Sequence, residues 1–248
     1  KMIFKNKNNE FKGITYMILC MLFFSINDAF IKYILFLYQD ITLLGEIIFI
    51  RGICSIIILG LYLYYKNKLN FKVITSKPLH LRGLVESVAA IFFFLGLMYL
   101  PFGELYSLMN LAPILITASG AFILNEKVGW RRWTAVICGF IGVLIVIDPN
   151  NLKFGFAFIY PLIAAIFITQ RDTITRKFLN QYDSLQIVFI TSLSVTVFFG
   201  FGMFLNYKPI NLEIFIYIFL SAFFVTLGYY FSVRSEEHTS ELQSLRHL

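Results

Sequence analysis

Apolar residues fill this chain in blocks of about 20, separated by short polar stretches, and neither the period of two of a strand nor a one-sided helical stripe dominates. A helix needs roughly 20 residues to cross ~30 Å of hydrocarbon. By that ruler the pattern predicts spans near 13–37, 41–65, 79–100, 102–124, 131–147, 154–177, 184–205 and 212–233. Only Pro101 and Phe102 separate the third span from the fourth, which predicts a tight hairpin. The expected fold is all-α: a polytopic transmembrane bundle with eight helices present.

Composition agrees with that pattern. Of 248 residues 58% are apolar and 14% charged, against about 25% charged in a soluble domain. Cys20, Cys54 and Cys138 fall inside apolar runs and read as small buried hydrophobes. The first apolar run lacks a small-residue cleavage site, so it is expected to be a retained helix. Lys and Arg collect on one side: Lys1, Lys5, Lys7, Lys12, then Lys66, Lys68, Lys72, Lys77, Arg82, then Lys127, Arg131, Arg132, then Arg171, Arg176, Lys177. The other side shows Lys153 and Lys208. Positive residues stay cytoplasmic, so the N-terminus is expected inside, in a bacterial inner membrane. These basic loops need no nucleic acid as partner; the expected partners are the lipid bilayer and a small-molecule substrate.

Polar residues inside the apolar blocks are costly and mark candidate sites. Asn27, Asp28 and Lys32 interrupt the first span, and Asp28 and Lys32, four apart, share a face and can pair. Arg51 falls in the second span and must meet an acid or carbonyls; Asp28, Glu46 and Glu86 are candidates, as is a ligand carboxylate or phosphate. Glu86, two turns into the third span, could carry a proton or pair with Arg82. In the fourth span Pro113 leaves the Met109 carbonyl without its amide partner, so a kink with Asn110 and Thr117 could line a gate; Pro161 invites the same reading in the sixth. Tyr99, Tyr160, Tyr229 and Tyr230 could stack on a flat substrate.

Two echoes suggest a repeat. Glu46-Ile-Ile-Phe-Ile50 matches Gln186-Ile-Val-Phe-Ile190, and Asp28-x-x-x-Lys32 matches Asp172-x-x-x-Arg176, with offsets of 140 and 144. Such an offset covers five helices, so the second copy would be inverted, as in many secondary transporters. Asp28 and Asp172 would then lie toward opposite ends of a cavity. A five-plus-five repeat has ten helices, and eight are predicted. The expected organisation is an arm at 1–12, a first repeat at 13–147 and an incomplete second repeat at 154–233. From Arg234 the composition changes, and Arg234-Ser-Glu-Glu-His-Thr-Ser-Glu-Leu-Gln-Ser244 resembles a translated sequencing adapter. Residues 234–248 are therefore expected to be a non-native tail, and Met2 is a candidate start.

The motifs Phe24-Ser-Ile-Asn-Asp-Ala-Phe-Ile-Lys-Tyr33, Phe49-Ile-Arg-Gly52, His80-Leu-Arg-Gly83, Ala112-Pro-Ile114, Asn125-Glu-Lys-Val-Gly-Trp-Arg-Arg-Trp133 and Gly139-Phe-Ile-Gly-Val143 resemble the drug/metabolite transporter superfamily, EamA type. The first repeat is similar to members for S-adenosylmethionine or riboflavin uptake. The resemblance implies ten helices in two inverted repeats, transport of small metabolites, no cofactor, and a fifth helix that is a candidate homodimer surface. Glu126 to Trp133 is expected to be structural, with Trp130 and Trp133 as interfacial anchors and Gly139 and Gly142 for close helix approach.

No Gly-x-x-x-x-Gly-Lys-[Ser/Thr] loop occurs, so a gradient or the substrate itself would drive transport. Two rivals remain open at this stage. One is a membrane-embedded enzyme, which would need Glu86 and Asp28 close together. The other is a non-transporting sensor or partner subunit.

Overall fold

The computed structural model describes residues 2–38, 43–68, 71–123, 129–147, 155–178, 182–203 and 210–246, with no strand among them. The helices are α1 (Met2–Tyr38), α2 (Leu43–Tyr65), the single turn α3 (Phe71–Ile74), α4 (Lys77–Tyr99), α5 (Phe102–Met109), α6 (Leu111–Phe122), α7 (Trp130–Ile147), α8 (Ile159–Phe178), α9 (Ser184–Met203) and α10 (Leu212–Arg246). Each predicted span has its counterpart, the fourth being α5 and α6 together.

Among the described residues, six stretches are long and apolar enough to cross a membrane: Phe11–Tyr38, Leu43–Tyr65, Lys77–Tyr99, Phe102–Phe122, Ser184–Phe201 and Leu212–Ser232. In α7, which runs from Trp130 to Ile147, the apolar stretch among the residues with described side chains is Trp133–Val143. One predicted span falls short of that standard. In α8 the cause is charge, since Arg171, Asp172, Arg176 and Lys177 crowd its second half.

The expected hairpin is present: α4 ends at Tyr99, Leu100 caps it, and α5 starts at Phe102. The expected break in the fourth span falls at Asn110, between α5 and α6. Pro113 has no amide to offer the Met109 carbonyl, so the ladder opens just upstream. Pro161 makes no kink. It is the third residue of α8, after the 3-10 turn Gly155–Phe158, where its missing amide is not needed.

Helices pair in a regular way. α1 lies along α10 and α4 along α8, while α2 packs on α9; α4 also packs on α9 and α10 on α2. The pairs α1/α10, α2/α9 and α4/α8 run antiparallel. In α2/α9, Phe49 faces Gly200, Gly60 faces Phe189 and Lys68 meets Asp183. In α4/α8, Phe92 stacks on Phe167 and Tyr99 on Tyr160. α10 continues helical past Val233, and Ser235 Oγ donates to the Gly13 carbonyl at 2.9 Å.

Two apolar clusters fill the interior. One holds Ile31, Ile34, Ile47, Leu97, Leu105 and Ile218; the other holds Leu59, Leu63, Leu79 and Ile190. Large apolar side chains such as Phe36, Leu61 and Phe201 point outward, as they do when the solvent is hydrocarbon. Of the cysteines Cys20 is buried, Cys54 half-buried and Cys138 exposed, so the expectation of burial fails at Cys138. Two glycines set close approaches: a Cβ at Gly52 would strike Thr196, and one at Gly83 would strike Ser194. Gly83→Ala is expected to destabilise the bundle by about 1–3 kcal/mol through overpacking. Gly103→Ala, with nothing within 4 Å of its added methyl, should not cause overpacking. Thermal unfolding of the two variants in detergent checks this contrast.

Candidate functional site

Between α2, α4, α9 and α10 lies a cavity with about 580 Å³ of empty space, part of it open to the outside. Its ionisable and hydroxyl-bearing walls come from Arg51 and Ser55 on α2, Arg82 and Glu86 on α4, Thr191, Ser192 and Thr196 on α9, and Tyr229 on α10. Ile48, Val188, Val195 and Val225 supply apolar wall.

The lining positions come in matched sets. Ile48 and Val188, Arg51 and Thr191, Gly52 and Ser192, Ser55 and Val195 are each 140 residues apart. Glu86 and Val225, and Ala90 and Tyr229, are each 139 apart. The offset legible in Glu46–Ile50 and Gln186–Ile190 therefore extends along α2 and α9 into the cavity.

The charged groups sort into two neighbourhoods. In the first, Asn27 and Asp28 are buried on α1. Asn27 Nδ2 donates to Asp28 Oδ1 at 2.8 Å, and the Tyr106 hydroxyl of α5 donates to Asp28 Oδ2. Asn27 Oδ1 accepts from Ser221 Oγ of α10 at 2.6 Å and from Arg51 Nη1 at 3.4 Å. Arg51 also lies over the Phe94 ring, 5.3 Å from its centroid. So Arg51 meets a carbonyl oxygen, that of the Asn27 side-chain amide, together with a ring.

The expected Asp28–Lys32 pair does not form. Lys32 Nζ turns to the Leu100 carbonyl at 2.6 Å and lies 4.6 Å from the Phe102 ring centroid. Leu100, the C-cap of α4, presents its carbonyl there, and helix C-terminal ends attract cations.

In the second neighbourhood, Arg171 of α8 holds Glu86 Oε2 through Nη1 and Asp172 Oδ1 through Nε, both at 2.8 Å. The sequence offered Arg82 for Glu86, but Arg82 donates instead to Thr175 Oγ1 at 2.8 Å and to Thr191 Oγ1. Asp172 thus pairs with its neighbour Arg171. Arg176 lies in α8 with its side chain outside the described residues.

Asn110 is exposed at the α5–α6 break. Thr117 spends its hydroxyl on the Pro113 carbonyl at 3.0 Å. Neither lines the cavity. Of the four tyrosines proposed for stacking, Tyr229 lines it, in edge contact with Phe24. Tyr99 and Tyr160 stack on each other, and Tyr230 packs on Tyr62.

Beyond the cavity, the ends of α2 and α9 are tied together. Lys68 Nζ meets Asp183, and Gln186 Nε2 donates to the Lys68 carbonyl at 2.6 Å. Ser76 Oγ and the Tyr182 hydroxyl lie 3.0 Å apart. His80 Nε2 donates to the Ile74 carbonyl at 2.7 Å while Nδ1 meets Ser194 Oγ at 2.9 Å.

Removing one member of the Glu86–Arg171 pair strands the other in a largely buried place. Arg171→Gln is expected to cost about 3 kcal/mol. Glu86→Gln combined with Arg171→Gln should recover most of that. Unfolding midpoints of the single and double variants check it.

The matches to known proteins follow this geometry. The EamA-like transporter family matches residues 11–148. The S-adenosylmethionine uptake transporter of Rickettsia prowazekii (strain Madrid E) is 30% identical over 183 residues, 73% of this chain and 60% of that protein. The riboflavin transporter of Vibrio cholerae serotype O1 is 33% identical over 84 residues, 34% of this chain and 28% of that protein. An uncharacterized transporter of Helicobacter pylori (strain J99) is 23% identical over 203 residues, 81% of this chain and 67% of that protein. No solved structure matches. The chain spans about 60% of the length of the Rickettsia relatives. With more than half of its length matched by the family, this chain belongs to the EamA-like transporter family of multi-pass membrane proteins.

Proposed function

We propose that this chain acts as a secondary transporter that moves a small organic metabolite across the bacterial inner membrane by alternating access. The observation that carries this reading is the cavity lined at positions 140 and 139 residues apart. A site built from equivalent positions of two inverted repeats is equivalent from both membrane faces, which alternating access requires. The helix pairing supports the same repeats: α1 with α10 mirrors α4 with α8, α4 with α9 mirrors α10 with α2, and α2 with α9 lies on the axis. Each repeat also contributes a polar neighbourhood, one at Asp28 and one at Asp172.

The excess of Lys and Arg at the N-terminal arm and the 66–82 segment supports a cytoplasmic N-terminus. The tie between Lys68 and Asp183 then lies on the cytoplasmic side, where it acts as a closing latch. An exposed ion pair contributes little to stability, about 0–1 kcal/mol, and so can open readily. The relatives' names, S-adenosylmethionine and riboflavin transporters, support a small-metabolite substrate and a role without catalysis. The carboxylates are placed for structure more than for shared acid–base chemistry: Glu86 is tied to Arg171, and Asp28 to Tyr106 and Asn27.

In a cysteine-free background, Lys68→Cys with Asp183→Cys should form a disulfide that stops substrate flux into proteoliposomes. Reduction should restore it. Flux that continues through the cross-linked protein contradicts the latch. Separately, Tyr106→Phe removes a hydrogen bond to a carboxylate, worth about 1.5–3 kcal/mol. It is expected to lower both the unfolding midpoint and transport rate.

A further inference from the structure

The helices divide into two sets by what binds each together. α1, α2 and α10 form one set. Tyr16, Phe23 and Phe30, seven apart on α1, face Phe231, Phe224 and Tyr217, seven apart on α10. A period of seven keeps one seam in contact along two helices. Asn27 of α1 also accepts hydrogen bonds from Ser221 of α10 and Arg51 of α2. α4, α8 and α9 form the other set, with α5 and α6 packed on α8. Phe92 and Tyr99, again seven apart, stack on Phe167 and Tyr160. Arg171 joins α8 to α4, Arg82 joins α4 to α8 and α9, and Ser119 Oγ of α6 lies 3.0 Å from Thr173 Oγ1 of α8. The sets meet along α2 and α9, where Gly52 lies against Thr196 and Gly60 against Phe189. The cavity lies on this boundary, walled by α2 and α10 on one side and α4 and α9 on the other.

Along α2 the order is Leu44 and Ile47 of the first apolar cluster, Arg51 and Ser55 of the cavity, then Leu59 and Leu63 of the second cluster. α4 passes through the same three zones in reverse, from Leu79 past Glu86 to Leu97. The cavity therefore sits between two apolar plugs. At each plug polar contacts cross from one helix set to the other. At the second plug this is the latch of Lys68 with Asp183. At the first, Lys32 Nζ of α1 donates to the Leu100 carbonyl at 2.6 Å and lies over the Phe102 ring, and the Tyr106 hydroxyl donates to Asp28. Leu100, Phe102 and Tyr106 belong to the α4–α5 hairpin, on the far side of the boundary.

These contacts can open without stranding a charge. Lys32 is half-buried and its partners are a carbonyl and a ring, so its release leaves no unpaired carboxylate behind. Asp28 keeps its hydrogen bond from Asn27 when Tyr106 leaves. The hairpin is also free to swing, since α5 is eight residues long, begins after Pro101 and ends at the break at Asn110. We infer that Lys32 and Asp28, closing on the α4–α5 hairpin, form a second latch at the opposite end of the cavity from Lys68–Asp183, and that the two latches open in turn as the helix sets rock about the α2–α9 seam. This rests on the transporter reading above and names the residues that gate its other face.

The test uses the full chain in a cysteine-free background with Ser55→Cys as a reporter in the cavity. A membrane-impermeant maleimide is applied to right-side-out and to inverted vesicles, and the ratio of the two labelling rates is read. Lys32→Met should shift that ratio about tenfold toward the face at the Lys32 end, because a charged hydrogen bond is lost from one of two states only. Lys68→Met should shift it the other way. Lys32→Arg, which can still reach the carbonyl and the ring, should return the ratio toward that of the unaltered protein. If Lys32→Met does not fold, Phe102→Leu removes the ring under the ammonium and should move the ratio in the same direction by less. A merely structural tie would loosen both ends together. A ratio that Lys32→Met or Phe102→Leu leaves unchanged, or faster labelling from both faces alike, overturns the second latch and leaves the transporter reading standing. Labelling of the unaltered Ser55→Cys reporter from neither face overturns both.

Discussion

The bundle depends on one constraint: a charged side chain inside a membrane must find its partner on another helix. Arg171 shows the constraint at work. It reaches from α8 to Glu86 on α4 and so locks two antiparallel helices in register. Arg82 reaches from α4 to Thr175 on α8 and Thr191 on α9. Asn27 gathers Ser221 and Arg51, and through them α10 and α2, onto α1. Apolar packing against lipid carries little directional information, because lipid tails are as apolar as leucine. These few polar contacts, together with close approaches such as Gly52 to Thr196 and Gly83 to Ser194, give the helices their register. The cavity is the space they leave between them.

The same contacts explain why the two halves differ. On the transporter reading, equivalent positions present the site to both membrane faces, and chemistry at those positions is free to diverge. Arg51 and Thr191 occupy matched places, yet one is a cation and the other a hydroxyl. The Glu86–Arg171 pair keeps one carboxylate at the wall without leaving it unpaired.

Much of the fold was legible in the residues. Apolar block length gave a counterpart for every helix but the single turn α3, and Pro113 announced the break at Asn110. The offset of 140 seen in a five-residue echo reached into the cavity wall. The pairings within the site were less legible, for physical reasons. Spacing of four on a helix permits Asp28 and Lys32 to meet, but the carbonyl at Leu100 and a hydroxyl at Tyr106 satisfied each separately. Arg82 lies one turn before Glu86, yet the longer-range partner Arg171 took the carboxylate. Arg171 was counted for its charge at a membrane face, where topology alone explains an arginine. Tyr106 and Ser221 carried no signal, since one tyrosine among 14 and one serine in an apolar helix look like any other. Extending the repeat offset beyond Ile190 to Thr191 and Val195 was the clue that would have found the α9 wall.

The central claim is that this cavity is the substrate's path. The most direct measurement places single cysteines at Ser55 and at its counterpart Val195 in a cysteine-free background. Each is alkylated with a membrane-impermeant maleimide in right-side-out and in inverted vesicles. The account predicts labelling from both faces, and protection by a transported substrate at both positions. Labelling from neither face, or labelling that substrate leaves unchanged at both positions, would contradict it.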